Sequence, residues 1–189
     1  MLKAREMYHM IAEDWKAEKD LLPWDKSDRE WTRWIKDYLD RKSEKFNCRT
    51  ERTNSGSRGQ GEYLVDLCWW QEKDETGHYC LQLILESEWN CAKDELLQDF
   101  YKLIDIKAAL KIWICSWGEN QVKERLQLAC KYVSRAKYKI PGEEYLIINL
   151  PVNKISNYKD RMVIEGWLID YKGQEEILEP STIERNNRS

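Results

Sequence analysis

The sequence has few of the residues that most catalytic and cofactor-binding motifs require. It contains 2 histidines, 2 phenylalanines, 4 prolines and 8 glycines in 189 residues. Its 6 cysteines stand singly, without a CxxC spacing, so we expect no structural zinc site. No serine or cysteine lies in a nucleophile motif, which argues against acyl-transfer chemistry. The glycines form neither a phosphate-binding loop that ends in Gly-Lys-Ser/Thr nor a dinucleotide fingerprint.

Long apolar segments are missing as well. No apolar run approaches the ~20 residues that a membrane-spanning helix needs. The first residues alternate charged and apolar side chains, and they lack the apolar core of a secretion signal. We therefore expect a cytoplasmic protein with no membrane partner and with reduced, mostly buried cysteines.

What is present is a core rich in tryptophan and a surface rich in charge. Hydrophobic residues make up 42% of the chain and charged residues 34%, with 10 tryptophans. The composition and length predict one domain over residues 1–189. The net charge of −3 argues against a general polyanion binder. Two basic stretches, 41–58 and 123–139, are interpreted either as a nucleic-acid footprint or as solvated helix and strand faces.

The residue pattern predicts an α/β fold with a mixed central sheet flanked by helices. A capping box at Ser27–Glu30 opens a helix with an apolar stripe, and an antiparallel hairpin is expected from 62–70 and 78–89. A buried strand is expected at 110–117, followed by a helix that Pro141 ends. The predicted order is α, α, β, β, β, α, β, α, β, β, with strands at 144–150 and 161–170 and a frayed tail at 180–189.

Two acidic residues lie inside strongly apolar strands of the predicted hairpin. Asp66 precedes Leu67 and Cys68, and Glu86 follows Leu85. An isolated buried carboxylate is costly, so we expect each to be paired, neutralised or bound to a metal. If the acidic faces of the two strands match, the carboxylates converge, and Mg²⁺ suits such an oxygen site.

This arrangement resembles the PD-(D/E)XK nuclease superfamily, whose restriction endonuclease-like core has the order α-β-β-β-α-β. The resemblance covers residues 27–117 and makes 118–179 a C-terminal α-β-β extension. It places the first acid of the motif on Asp66 and the second on Glu86. The usual lysine position holds Glu88, and no proline precedes the first acid. In some members the lysine lies on the following helix, where Lys102 stands, and an acid of the first core helix, here Glu30, sometimes joins.

The resemblance implies hydrolysis of a phosphodiester in DNA, or less expectedly RNA, with Mg²⁺ or Mn²⁺ as cofactor. Asp66, Glu86 and the Ser87 carbonyl would bind the metal, while Glu88 or Lys102 would orient or deprotonate water. Phosphates would contact basic residues, for which the candidates are Arg58, Lys123, Arg125, Lys131 and Arg135.

Other interpretations of the same residues stay open. Glu86 and Glu88 are also compatible with a half-solvated strand face paired with Lys102 or Lys107. The same fold without catalysis would serve as a nucleic-acid or protein binding module, which Glu88 and the acidic net charge favour. The strands from 144 onward either widen the sheet or form a homodimer contact.

Overall fold

The structure is a computed structural model that describes residues 2–52, 65–73, 78–89, 93–150 and 161–186. Within these ranges it contains four α-helices and seven strands. The helices are α1 (Ala4–Ala17), α2 (Asp28–Ser43), α3 (Lys93–Asp105) and α4 (Glu119–Arg135). The strands are β1 (Arg49–Arg52), β2 (Leu67–Lys73), β3 (His78–Glu88), β4 (Leu110–Cys115), β5 (Glu144–Asn149), β6 (Arg161–Asp170) and β7 (Glu175–Glu184).

The seven strands form one mixed sheet in the order of the chain. Strands β3, β4 and β5 run parallel, and every other neighbouring pair is antiparallel. Apolar residues of α1 and α2 pack on one face, and those of α3 and α4 pack on the other. The prediction of an α/β protein with a mixed sheet between helices is therefore confirmed.

Local sequence explains why α2 begins where it does. The Glu30 carboxylate accepts the backbone N–H of Ser27 at 3.0 Å, and Ser27 Oγ accepts the N–H of Glu30 at 3.4 Å. This reciprocal cap satisfies N–H groups that a helix start leaves unpaired. Trp31, Ile35 and Leu39 of the following stripe are at most 1% exposed. The predicted second helix is confirmed, and its buried stripe fixes which residues face the sheet.

Strand β4 is buried on both faces, as its nearly continuous apolar sequence predicts. All six residues from Leu110 to Cys115 are buried. Parallel strands that lie between two helical layers have this composition because neither face meets water. Within the described part of the chain, every helix is too short or too polar to cross a membrane.

The C-terminal end of the chain differs from the expectation. The predicted frayed tail at 180–189 is wrong for its first half, because β7 extends from Glu175 to Glu184 and pairs with β6. The segment was difficult to identify because it is rich in glutamate and contains Pro180. Both features are typical of an edge strand, where charge and proline discourage further pairing.

Two predicted boundaries also shift, and the alternation of side chains in β3 changes. The hairpin strand expected at 62–70 starts only at Leu67, while residues 65 and 66 form a bend and 62–64 lie outside the described residues. Helix α4 ends at Arg135, well before Pro141. In β3 the register skips Gln82 opposite Trp69 and Trp70, so Leu81 packs on the α3 face instead of joining Leu83.

Candidate active site

The two predicted acids are neighbours at the carboxyl end of β3. Leu67 pairs with Leu85 in the antiparallel β2–β3 ladder, so Asp66 immediately precedes β2 at the level of Glu86. Asp66 is close enough for its negative charge to raise the pKa of Glu86. The carboxyl end of a parallel strand is where open α/β sheets place their ligands.

Asp66 is held firmly by its surroundings. Its Oδ1 lies 2.7 Å from the Nζ of Lys36 on α2, and the side chain of Lys36 is only 8% exposed. Its Oδ2 accepts the Ser87 backbone N–H at 2.9 Å and the Ser87 hydroxyl at 2.7 Å. Charge-assisted bonds of this kind are stronger than neutral ones, so both carboxylate oxygens of Asp66 are held in place.

Glu86 is bound much less completely. The residue is 5% exposed, and its Oε1 has no hydrogen-bond partner among the described residues. Among the described residues, the cation paired with it is the Nζ of Lys102 on α3, 3.4 Å from Oε1 and only 2.6 Å from Oδ1 of Asp99. The pKa of Glu86 is raised to about 8, because burial and the charge of Asp66 raise it more than Lys102 lowers it. Glu86 is a carboxyl group that prefers the neutral form near pH 7.

The closest partners of the two acids lie on opposite sides of the sheet. Asp66 contacts α2, which packs on one face, while Glu86 contacts α3, which packs on the other. The acids are therefore brought together at one strand end, but each contacts a lysine from a different helix. We refer to Asp66, Glu86, Asp99, Lys36 and Lys102 as the acid cluster.

The remaining candidate metal ligand and the motif's third residue lie on β3. In an extended strand, the N–H and C=O of one residue point to the same side. Because the Ser87 N–H donates to Asp66, its carbonyl also lies on the Asp66 side of β3. Glu88 is half-buried, and it follows Glu86 by two residues on the same strand face.

Helix α2 contributes two residues that the sequence analysis missed. Thr32 Oγ1 accepts the indole N–H of Trp89 at 2.7 Å and lies 3.2 Å from Ser87 Oγ. Lys36 follows Thr32 by one helical turn, so both lie on the same side of α2. The sequence signal that could have identified them is the pair of polar residues, Thr32 and Lys36, beside the buried apolar stripe of α2. Glu30, the acid expected from this helix, is exposed and bound to Ser27, and that hydrogen bonding lowers its pKa.

The predicted phosphate-binding residues do not form one compact patch. Lys123, Lys131 and Arg135 are exposed along α4, and the rise along the helix from Lys123 to Arg135 is about 18 Å. Arg125 is buried, with its guanidinium carbon 5.9 Å from the ring centre of Trp117. The side chain of Arg125 thus packs inward, and its contact with phosphates stays a prediction. Arg58 lies outside the described residues.

The oxygen ligands around Asp66 and Glu86 match the chemistry of Mg²⁺ but form a small set. Mg²⁺ is commonly held by one or two carboxylates together with several waters. Asp66, Glu86 and the Ser87 carbonyl satisfy that count. Among the described residues, no group of three or more His, Cys, Asp or Glu side chains is placed to hold a metal ion. A metal at the acid cluster would thus depend on two carboxylates and on water.

A second lysine–carboxylate group lies at the opposite, amino end of the parallel strands. Lys111 near the start of β4 is 1% exposed, and its Nζ lies 2.9 Å from Glu143 Oε2 and 2.9 Å from the Tyr145 hydroxyl. The Tyr145 hydroxyl donates to Glu143 Oε1 at 3.0 Å, so every charged atom of the group is paired. Burial lowers the pKa of Lys111, and Glu143 opposes that effect. A single lysine within the apolar run of β4 was the sequence signal for this buried pair.

The cysteines agree with the expectation of reduced thiols. All five cysteines within the described ranges are free, and Cys91 lies outside them. Burial raises the pKa of Cys68 to about 11 and that of Cys130 to about 12. Such thiols are poor nucleophiles near pH 7, because little thiolate is present.

Comparison with protein-family models, with curated proteins and with solved structures returns no match for this chain.

Proposed function

We propose that the protein is a divalent-metal-dependent nuclease that hydrolyses phosphodiester bonds in DNA or, less expectedly, RNA. The observation that carries the proposal is Glu86. Its buried carboxyl group lies beside a second acid at a strand end. Its Oε1 has a 3.4 Å ion pair with Lys102 but no hydrogen bond among the described residues, and its pKa is raised to about 8. Strongly shifted acids next to a specific charge partner are concentrated at functional sites.

The order of elements gives further support. In the described residues from Asp28 to Cys115, the α-helices and strands follow the order α2, β1, β2, β3, α3, β4. This order is compatible with the α-β-β-β-α-β core that the sequence resembles. Asp66 and Glu86 also occupy adjacent positions at the β2–β3 pair, as two acids of one site would. Because folds are shared by many functions, the acid cluster carries more weight than the element order.

The roles of the residues follow from their positions. Asp66, Glu86 and the Ser87 carbonyl would hold Mg²⁺ or Mn²⁺, which would polarise a phosphate and lower the pKa of a bound water. Lys36 and the Ser87 hydroxyl fix the orientation of Asp66. Lys102 is the one lysine of the acid cluster that is substantially exposed, so it would meet the phosphate backbone. Glu88 would orient a water molecule, as a carboxylate two residues after Glu86 can.

A nuclease assay with matched variants tests the proposal. Purified protein is incubated with plasmid and with single-stranded DNA or RNA, in Mg²⁺ or Mn²⁺ and with a chelator as control. Glu86→Gln should reduce cleavage by more than about 100-fold, because it removes a metal ligand. Glu119→Gln changes an exposed acid at the start of α4 and should cleave like wild type. Equal cleavage by wild type and Glu86→Gln would identify a contaminating nuclease and contradict the proposal.

A second candidate function is a binding module without catalysis. The favouring observation is that lysine ammonium groups already neutralise both acids, Lys36 at Asp66 and Lys102 at Glu86. Such a cluster can be wholly structural, and Glu88 replaces the lysine of the motif. Titration calorimetry with Mn²⁺ separates the two functions. Heat that is lost in Glu86→Gln supports the nuclease, while its absence in wild type favours the binding module.

A further inference from the structure

We infer that an open cavity at the amino end of the parallel strands is a binding site for a nucleotide, whose base lies against Trp70 and whose phosphate contacts Lys107. This inference goes beyond the proposed function, because the cavity and the acid cluster lie at opposite ends of the parallel strands.

The cavity has a volume of about 610 Å³. Small-molecule sites commonly have volumes of roughly 300–1,000 Å³. Its lining comes from residues 70–71 of β2, 80–82 of β3, 107–109 before β4 and 140–143 before β5. Gln82 and Glu86 are four residues apart on β3, which is about 13 Å along a strand. The cavity is therefore a separate place from the acid cluster.

The bulge in β3 gives the cavity two different side chains. Ile84 packs on the α3 face, so alternation places Gln82 on that face, and the register shift adds Leu81. Trp70 pairs with Leu81 and is half-buried. An indole ring and an aliphatic chain offer a surface for a planar ring, and a carboxamide both donates and accepts hydrogen bonds at the ring edge. A nucleobase has this combination of properties, and glutamine amides pair with the edge of adenine.

One wall of the cavity is a tight turn from Ile140 to Glu143. The Glu143 N–H donates to the Ile140 carbonyl at 3.1 Å, and Gly142 adopts a φ of 89°, which glycine tolerates without strain. A backbone bond also fixes the segment before β4, since the Ala109 N–H donates to the Leu81 carbonyl at 3.3 Å. The cavity is thus formed by ordered backbone, which lowers the entropy cost of binding a ligand.

The charges of the lining favour an anionic ligand. Among the described residues of the lining, only Lys107 and Glu143 carry charge. Glu143 is buried, and its oxygens are paired with Lys111 and Tyr145, so its charge is compensated within the protein. Lys107 is exposed, and its flexible ammonium group can donate charge-assisted bonds to a phosphate. The cavity should therefore prefer a nucleotide to a neutral heterocycle.

Titration calorimetry of the full chain with small ligands tests the inference. The ligands are the four ribonucleoside monophosphates, with adenosine and ribose 5-phosphate as fragments that lack either the phosphate or the base. A chelator is present throughout, so that no divalent metal takes part. A 5′-phosphorylated single strand of five nucleotides is titrated in parallel. Binding of this strand at least about tenfold tighter than a mononucleotide would make a strand end the ligand, and weaker or equal binding a free nucleotide.

We expect a Kd below about 1 mM for at least one mononucleotide and binding at least about tenfold weaker for both fragments. Trp70→Leu should weaken nucleotide binding by at least about fivefold, because it removes the flat ring. Gln82→Ala should reduce the differences in affinity among the four bases. Lys107→Met should weaken binding at least about threefold, and its exposed position makes it safe for folding. The control Lys45→Met changes an exposed lysine outside the cavity lining and should bind like wild type.

Three results would overturn the inference. The first is no binding of any mononucleotide to wild type at about 1 mM. The second is equal affinity for ribose 5-phosphate and for the nucleotide, which would reduce the cavity to an anion site. The third is unchanged nucleotide binding in Lys107→Met together with a folded Trp70→Leu, as judged by urea unfolding. Glu86→Gln should bind nucleotides like wild type, so failure here and failure of the proposed nuclease activity are distinguishable.

Discussion

The lysine–carboxylate groups at the two ends of the parallel strands differ in how completely their polar atoms are paired. At the amino end, in the Lys111 group, both oxygens of Glu143 accept hydrogen bonds and all three side chains are buried. At the carboxyl end, Oε1 of the similarly buried Glu86 has no hydrogen bond among the described residues, and its ion pair with the partially exposed Lys102 is 3.4 Å long. A buried ion pair that is fully hydrogen-bonded needs no ligand to explain it, whereas a buried oxygen without a hydrogen bond is satisfied by a ligand or a proton.

The strongest test of this comparison replaces each glutamate by its neutral amide. Glu143→Gln leaves the Lys111 ammonium buried without a counter-charge, and it should lower the free energy of unfolding by about 3–5 kcal/mol. Glu86→Gln removes the cost of keeping a proton on this buried carboxyl group near pH 7, so it should not lower the free energy of unfolding and should raise it instead. Urea unfolding of both variants at pH 7 measures the difference. Equal losses in the free energy of unfolding would mean that both groups are structural in the same way.

The next effect concerns the firmly held half of the acid cluster. Lys36→Met removes the ammonium from Asp66, which keeps its two bonds to Ser87 and is itself 20% exposed. We expect a loss of about 1–3 kcal/mol in the free energy of unfolding, the usual cost of one missing partner. Lys45→Met, an exposed lysine after α2, serves as control and should change little. A loss no larger than that of the control would show that Asp66 does not depend on α2.

A third prediction uses the pH dependence of stability to distinguish the Glu86 group from the Lys111 group. The pKa of Glu86 is raised to about 8 from an ordinary 4.5, so between these values the folded protein binds more protons than the unfolded chain. Stability from this group is therefore present at low pH and is lost as pH rises through about 8. One proton limits the slope to about 1.4 kcal/mol per pH unit. Urea unfolding from pH 5 to 8 should show this decline in wild type and a flatter profile in Glu86→Gln.

The matched control for the pH series is Glu119→Gln, whose profile should parallel that of wild type because this acid is exposed. Parallel profiles for wild type and Glu86→Gln would contradict the assignment of Glu86 as the proton-binding group. In that case the burial of the Glu86 side chain would not explain the pH dependence of stability.

The sequence predicted most of the elements that build the cluster. The Ser27–Glu30 cap, the stripe of α2 and the apolar run of β4 are local signals, and the structure retains all three. The proximity of Asp66 and Glu86 also followed from hairpin pairing, since the two strands of a hairpin can pair in only a few registers.

The remaining parts depend on tertiary packing that one sequence does not encode in a local pattern. Lys36 reaches Asp66 only because α2 crosses the sheet at the end of β3, and no periodicity gives that crossing position. The bulge at Gln82 reverses the side-chain alternation of β3, which a strict period of two cannot anticipate. Arg125 was interpreted from its charge alone, whereas the packing of α4 on Trp117 buries it.

The smallest predicted effect on stability concerns Lys102, and it shows whether this lysine is a structural partner of Glu86. Lys102→Met removes a 40% exposed ammonium, so the free energy of unfolding at pH 7 should change by no more than about 0.5 kcal/mol. The charge of Lys102 lowers the pKa of Glu86, so its loss should raise that pKa and keep Glu86 neutral to higher pH. A proton on Glu86 compensates for the missing ammonium group of Lys102. The same compensation would cost more free energy at Glu143, whose partner is Lys111. A loss comparable to that of Lys36→Met in urea unfolding would make Lys102 a fixed structural partner.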